Sequence, residues 1–314
     1  MPREHRLDRR YLILAVGVVA LSTAVILVKL SELPPGILAT GRLLGGAAIL
    51  TPLMLAERRK LRPPPFGWTD LKNSLPAAIL LAFHFIVWFV GIRLTTAANA
   101  TLVVNLTPVA MPFALFLLVG ERVTAREVVG TLIATAGVLV LGLGGAAEFS
   151  LASFWGDLVC IAGMLLCVFY LVLARRNGRG RGIVGYLVPL YATAGVLTLA
   201  YSALSGEIAA VLDARHAWPR ELALLVGLAL IPTAFGHSVL NYSMVHLRGQ
   251  VVAVANLGQV FFATLFAIPL LGERPELAFY PACALIFAGA IIAIFRPRVR
   301  PARAREIAGA EVEA

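Results

Sequence analysis

Acidic side chains are missing from the middle of every long apolar stretch in this chain; Glu121, Asp157 and Glu273 all stand at the ends. Proton-coupled carriers often hold a carboxylate at membrane depth, and a cationic solute needs one as a partner. A strongly cationic cargo is therefore disfavoured, and His84 and His237 are left as the groups inside the apolar runs that titrate near neutral pH. Charge of either sign is scarce, at 14% of residues against about a quarter in soluble domains, which excludes an ordinary soluble fold. Cys160, Cys167 and Cys283 are the only cysteines. Their odd number and apolar surroundings exclude a disulfide framework, and no metal-ligand spacing is present, so no cofactor is expected. Also missing are His-Glu-x-x-His, paired aspartates and aspartate-rich diphosphate sites, which argues against an intramembrane enzyme. The helices lack the polar stripes of a permanently open pore, and a lipid-handling protein stays a remote reading. A net charge of +10 comes without a basic stripe interleaved with aromatics, so no nucleic-acid partner is expected.

What is present is apolar length. Hydrophobic residues make up 60% of the 314, and mean hydropathy is +0.87. Runs of about 20 residues, enough to cross a hydrocarbon core, fall at 11–30, 37–56, 73–94, 97–119, 125–145, 153–174, 183–205, 221–246, 250–271 and 277–295. This reads as an all-α membrane protein with ten transmembrane helices. The first run is too long for a signal-peptide core and reads as a retained helix. Of the 27 Lys and Arg, 21 lie on one alternate set of termini and loops and 3 on the other; Lys29, Arg42 and Arg93 lie in or at the ends of helices. That bias predicts both termini in the cytoplasm. Residues 1–10 form a cytoplasmic N-terminus and 296–314 a basic cytoplasmic tail near anionic lipid.

One phrase occurs twice. Gly120-Glu121-Arg122 closes one apolar run and Gly272-Glu273-Arg274 another, 152 residues later. With five helices per copy, the second copy enters from the opposite face. Residues 11–145 and 153–295 are thus predicted to be inverted five-helix repeats, with Glu121 at the inner face and Glu273 at the outer. The phrase itself reads as a helix-end turn. Nearly the same shift carries His84 onto His237, Arg93 onto His246, Asn105 onto Asn256 and Gly137 onto Gly289.

Polar groups at membrane depth normally face the bundle interior. His84 and Trp88 share a helix face at i, i+4, as do His237 and Asn241; Asn256 and Gln259 share one at i, i+3. Asn105 stands beside Pro108. His84, Trp88, Asn105, His237, Asn241, Asn256 and Gln259 are the candidate substrate-binding residues, with interhelical hydrogen bonding as the competing role. Tyr170, Tyr242, Phe261 and Phe262 are available for apolar contact. Pro108, Pro112, Pro232 and Pro269 break backbone ladders and free carbonyls, or simply kink the helices. Lys29 and Arg42 are expected near outer helix ends, where long basic side chains snorkel. Arg93 is placed at an outer mouth, able to attract an anion. Gly41 and Gly45 suit close helix contact.

Several segments carry a family resemblance: Gly-Arg-Leu-Leu at 41–44, AANATLVVNLTP at 97–108, Gly-Glu-Arg-Val-Thr at 120–124, Gly130 and Gly137, Gly156-Asp157, and Leu271 to Arg274. In this order the chain resembles the EamA family of the drug/metabolite transporter superfamily. The resemblance implies two inverted five-helix bundles around a central cavity lined by helices 1, 3, 4, 6, 8 and 9. It implies alternating-access export of small metabolites, most of all neutral or aromatic amino acids, across a bacterial-type inner membrane. A facilitator, or an exporter of another small neutral or drug-like metabolite, is the alternative. The partners expected are a small-molecule substrate and the lipid bilayer, with monomer and homodimer both open. Ala282 stands where Gly130 predicts a glycine, so the tenth helix is expected to pack differently from the fifth.

Overall fold

The computed structural model describes residues 9–61, 67–94, 103–144, 151–178, 182–213, 217–272, 275 and 277–294. Outside the described residues lie most of the N-terminus, residues 95–102 at the start of the fourth run, the link at 145–150, Glu273 with Arg274, the basic tail and the Arg93 side chain.

The described chain is helical, with no strand among its residues. Its elements are α1 (Arg9–Leu30), α2 (Pro35–Leu61), α3 (Trp68–Leu94), α4 (Thr107–Val119), α5 (Ala125–Gly144), α6 (Leu151–Asn177), α7 (Ile183–Leu204) and the short α8 (Glu207–Asp213). Then come α9 (Trp218–His246), α10 (Gly249–Leu271) and α11 (Phe279–Ile294). Seven of these are long and apolar enough to cross a membrane, and α4 and α11 are shorter apolar helices.

Helices outrun several apolar stretches. α2 continues through Arg58, Arg59 and Lys60. These are good helix formers, and their charge suits the negative end of the helix dipole. α3 opens five residues before its apolar run, at Trp68 with Asp70 in its first turn, where a carboxylate suits the positive end. The twin Gly-Glu-Arg phrases start with equivalent turns. Gly120 (φ 66°) and Gly272 (φ 68°) cap α4 and α10 in the left-handed region, which glycine reaches without a Cβ penalty.

The most extensive contacts all join a helix before residue 145 to one after 150: α3 with α6, α5 with α11, α2 with α7, and α1 with α9 and α10. Lipid tails are as apolar as leucine, so tight helix pairs depend on close backbone approach through small residues. Gly163 lies against the Trp88 backbone, where a Cβ would sit 3.3 Å from its Cα. Gly41 and Gly45 face Leu225 and Ala229 of α9, as their spacing suggests. Where α5 crosses α11, a Cβ on Gly130 would lie 2.6 Å from the Gly289 carbonyl oxygen. One turn-pair away a Cβ on Gly137 would lie 2.6 Å from the Ala282 carbonyl oxygen. The expected difference at Ala282 is thus absorbed: Gly137 opposite it makes the room, and both contacts are equally close.

Polarity is arranged for lipid. Phe113 and Leu117 are 75% and 72% exposed on the outside of α4, while Arg42, His84 and Asn241 are buried.

The candidate site between the helices

Arg42 corrects the sequence reading. It lies seven residues into α2, about 10 Å from the helix start at 1.5 Å per residue, and is only 3% exposed. It does not snorkel. The adjacent Gly41, Gly45 and Gly46 bring α2 against α9, and Arg42 is enclosed with them.

Pro232 explains what Arg42 meets. A proline inside a helix has no N–H for the carbonyl four residues back, here that of Leu228. Around it, Ala229–His237 of α9 widens into a π-helix, a local form frequent at functional sites. The Thr233 hydroxyl donates to the Leu228 carbonyl at 2.8 Å and accepts from Arg42 Nε at 3.1 Å. The guanidinium carbon stands 4.3 Å from the centre of the Phe85 ring, a cation–π distance. Arg42 Nη2 is buried without a hydrogen-bond partner.

Phe85 is the hub. His84 lies 5.0 Å from it and His237 6.0 Å, centre to centre. His84 is also stacked over Trp88 at 6.3 Å, as their i, i+4 spacing allows. Asn241 donates to the Tyr170 hydroxyl at 2.6 Å and to the His237 carbonyl at 2.7 Å. Arg42 also lies within electrostatic reach of Tyr170 and Tyr191. Four of the seven candidates, His84, Trp88, His237 and Asn241, are therefore brought into one cluster.

The two histidines differ. His84 Nδ1 is 2.8 Å from the Gly163 carbonyl, whereas His237 Nδ1 is buried with no partner. Trp88 Nε1 and Arg42 Nη2 share that condition, while the Tyr191 hydroxyl lies against Ser238 and Asn241. Buried polar atoms are normally satisfied, so this concentration marks the cluster as a candidate site.

The other three candidates lie on other elements. Asn256 and Gln259 hydrogen-bond each other at 2.6 Å on α10, and Asn105 lies half-buried in the turn before α4. Near them, Pro112 leaves the Pro108 carbonyl without a helical donor. Gln250, buried on α10, supplies one at 2.8 Å and also donates to the Thr131 hydroxyl at 2.6 Å. The carbonyl freed there is occupied by the protein itself.

Polar bonds join the two halves of the chain at both ends of the bundle. At one end Arg175 of α6 pairs with Glu121 at 2.5 Å and donates to the carbonyls of Met244 and Leu247. The other Glu121 oxygen accepts the Gly249 N–H at 3.2 Å. Beside it Arg248 pairs with Glu127, which raises the Arg248 guanidinium above its ordinary value. A cavity of about 250 Å³ opens at this end, between Glu57, Gly182, Tyr242 and His246. At the opposite end the buried Glu221 carboxylate accepts from Ser31 Oγ and from the Glu32 N–H, and Arg220 donates to the Leu30 carbonyl at 2.9 Å.

A sequence profile of the EamA-like transporter family matches residues 10–143, the stretch that holds Arg42, His84, Trp88 and Glu121. The first half of the chain is thus similar to the EamA-like transporter family, and relatives that match along most of the chain carry transporter names. The chain is 25% identical to an uncharacterised transporter of Archaeoglobus fulgidus, over 86% of its own length and 91% of the relative's. It is 29% identical to the aromatic amino acid exporter YddG of Ancylobacter novellus, over 70% and 74% respectively. A solved crystal structure superposes with a TM-score of 0.73 at 24% identity, over 91% of this chain and 96% of the other, a likeness of fold. Its seven long apolar helices fit a multi-pass membrane protein, as the transporter names of these relatives would require.

Proposed function

We propose that this protein is an EamA-family transporter that exports small metabolites, most of all neutral or aromatic amino acids, by alternating access across a bacterial-type inner membrane, with both termini cytoplasmic. The observation that carries the reading is the convergence of His84, Trp88, His237 and Asn241 at one enclosed place between the two halves, with cross-half polar bonds at both ends.

Packing supports the two-repeat part of this proposal. Exchanging α1 to α5 with α6, α7, α9, α10 and α11 in order turns the α3–α6 pair into α9–α1, and turns α4–α6 into α10–α1. It returns α2–α7 and α5–α11 to themselves. All of these pairs are present. At the α5–α11 crossing, Gly130–Gly289 becomes Ala282–Gly137, and both contacts are close. Movement of one half against the other would open one bonded end while the second stays closed, exposing the cluster to each side in turn. Export of an aromatic amino acid also agrees with what the Ancylobacter relative is named for, and with the Trp88, Phe85 and Tyr170 rings around the site.

Purified protein in vesicles tests this. Labelled phenylalanine, tryptophan or leucine should show saturable counterflow that depends on the protein. Absence of counterflow for all neutral amino acids and other small neutral solutes removes the proposal.

A further inference from the structure

We infer that Arg42 is the binding group for a carboxylate on the transported solute; this rests on the transport reading above. A guanidinium keeps its charge near neutral pH. Among the described residues, no carboxylate lies within ion-pair distance of Arg42; the nearest precedents in the bundle, Glu32, Glu121 and Glu127, pair with other arginines. Buried charges are normally matched by an opposite charge, and here the protein supplies only the Thr233 hydroxyl and the Phe85 face. One terminal nitrogen stays unpartnered in an interior site.

The chemistry of a guanidinium so placed is specific. An arginine fork matches a planar carboxylate, with two parallel N–H donors meeting two oxygens. Trp88 Nε1, buried and unpartnered in the same cluster, adds a further donor. The π-helical turn fixes Thr233, and Thr233 takes Nε; the guanidinium plane is thereby oriented with its terminal end left over. Phe85, Trp88 and Tyr170 supply ring faces for the rest of the solute. The site therefore selects solutes that carry a carboxylate and rejects those in which it is amidated or removed, even when size and aromatic character are the same.

The test uses full-length protein in vesicles and in detergent. Phenylalanine, 3-phenylpropionate, phenylalaninamide and phenethylamine compete for labelled counterflow, and each is also titrated for thermal stabilisation, which does not require transport. Phenylalanine and 3-phenylpropionate should compete and stabilise, with the amide and the amine at least tenfold weaker. Arg42→Gln should raise KM at least tenfold and erase the preference for the acid, while Arg42→Lys, which keeps the charge but not the fork, should fall between. Equal competition by acid and amide overturns the inference in the unaltered protein, so a poorly folded Arg42→Gln does not shelter it. So does an Arg42→Gln protein with unchanged KM and unchanged acid preference. Failure of any carboxylate up to 50 mM to stabilise the protein also overturns it. Robust counterflow without acid preference removes Arg42 and keeps the transporter; loss of all counterflow with carboxylate stabilisation intact does the reverse.

Discussion

Replacing Glu121 with glutamine deletes one charge at the bonded end and leaves the shape. The carboxylate is 2.5 Å from Arg175, and the two side chains are 12% and 8% exposed, so water screens them little. Removing one member of a buried ion pair costs about 3–5 kcal/mol. Arg175 keeps the Met244 and Leu247 carbonyls, and the glutamine oxygen still accepts the Gly249 N–H, so the lower figure, about 3 kcal/mol, applies. If the bonds hold this end closed, that energy moves the balance between closed and open forms by roughly a hundredfold. The assay is labelling by a membrane-impermeant maleimide of a cysteine placed at Tyr242, beside the 250 Å³ cavity, with Cys160, Cys167 and Cys283 replaced by serine. Labelling from the Arg175 side should quicken strongly in Glu121→Gln. A labelling rate within twofold of the parent, in protein that melts at a lower temperature, shows the pair to be a static brace and refutes the gating argument.

Gly289→Ala should lower stability by about 1–3 kcal/mol in detergent melts, because the new methyl overlaps the Gly130 carbonyl and the Ala134 backbone; an unchanged melt contradicts the backbone contact. Gln250→Leu should cost about 1–3 kcal/mol by stranding the Pro108 carbonyl. Adding Pro112→Ala restores a helical N–H to that carbonyl and should recover part of the loss, whereas strict additivity of the two changes would show that Pro112 is not the reason for Gln250. Gly120→Ala should cost about 1–2 kcal/mol, with Gly120→Asn milder; a Cβ there meets nothing within 4 Å, so equal melts for all three proteins exclude conformational strain at this cap.

Helix placement was legible because it depends on run length and on prolines and glycines that act locally. The doubled Gly-Glu-Arg announced two equivalent caps, and the i, i+4 pairs announced His84 with Trp88 and His237 with Asn241. Arg42 was misplaced because a charge near the start of an apolar run looks the same whether it snorkels or turns inward; the signal available was the length of α2 and the glycines flanking it. Glu121 was legible as a turn but not as a partner of Arg175, since the two meet only when α4 and α6 pack. Asn256 and Gln259 share a face as their spacing requires, and hydrogen-bond each other there.

The distribution of contacts has a consequence for biogenesis. The closest helix partners of α1 to α5 all come after residue 150. At ribosomal rates of about 5–20 residues per second, the first five helices wait roughly 10–30 s in the bilayer for those partners. During that interval Arg42 and His84 lack the helices that enclose them and the glycine faces stand open to lipid. A chain ended by a stop codon in the 145–150 link should therefore be a substrate for membrane proteases, and supplying the second half as a separate polypeptide should rescue it.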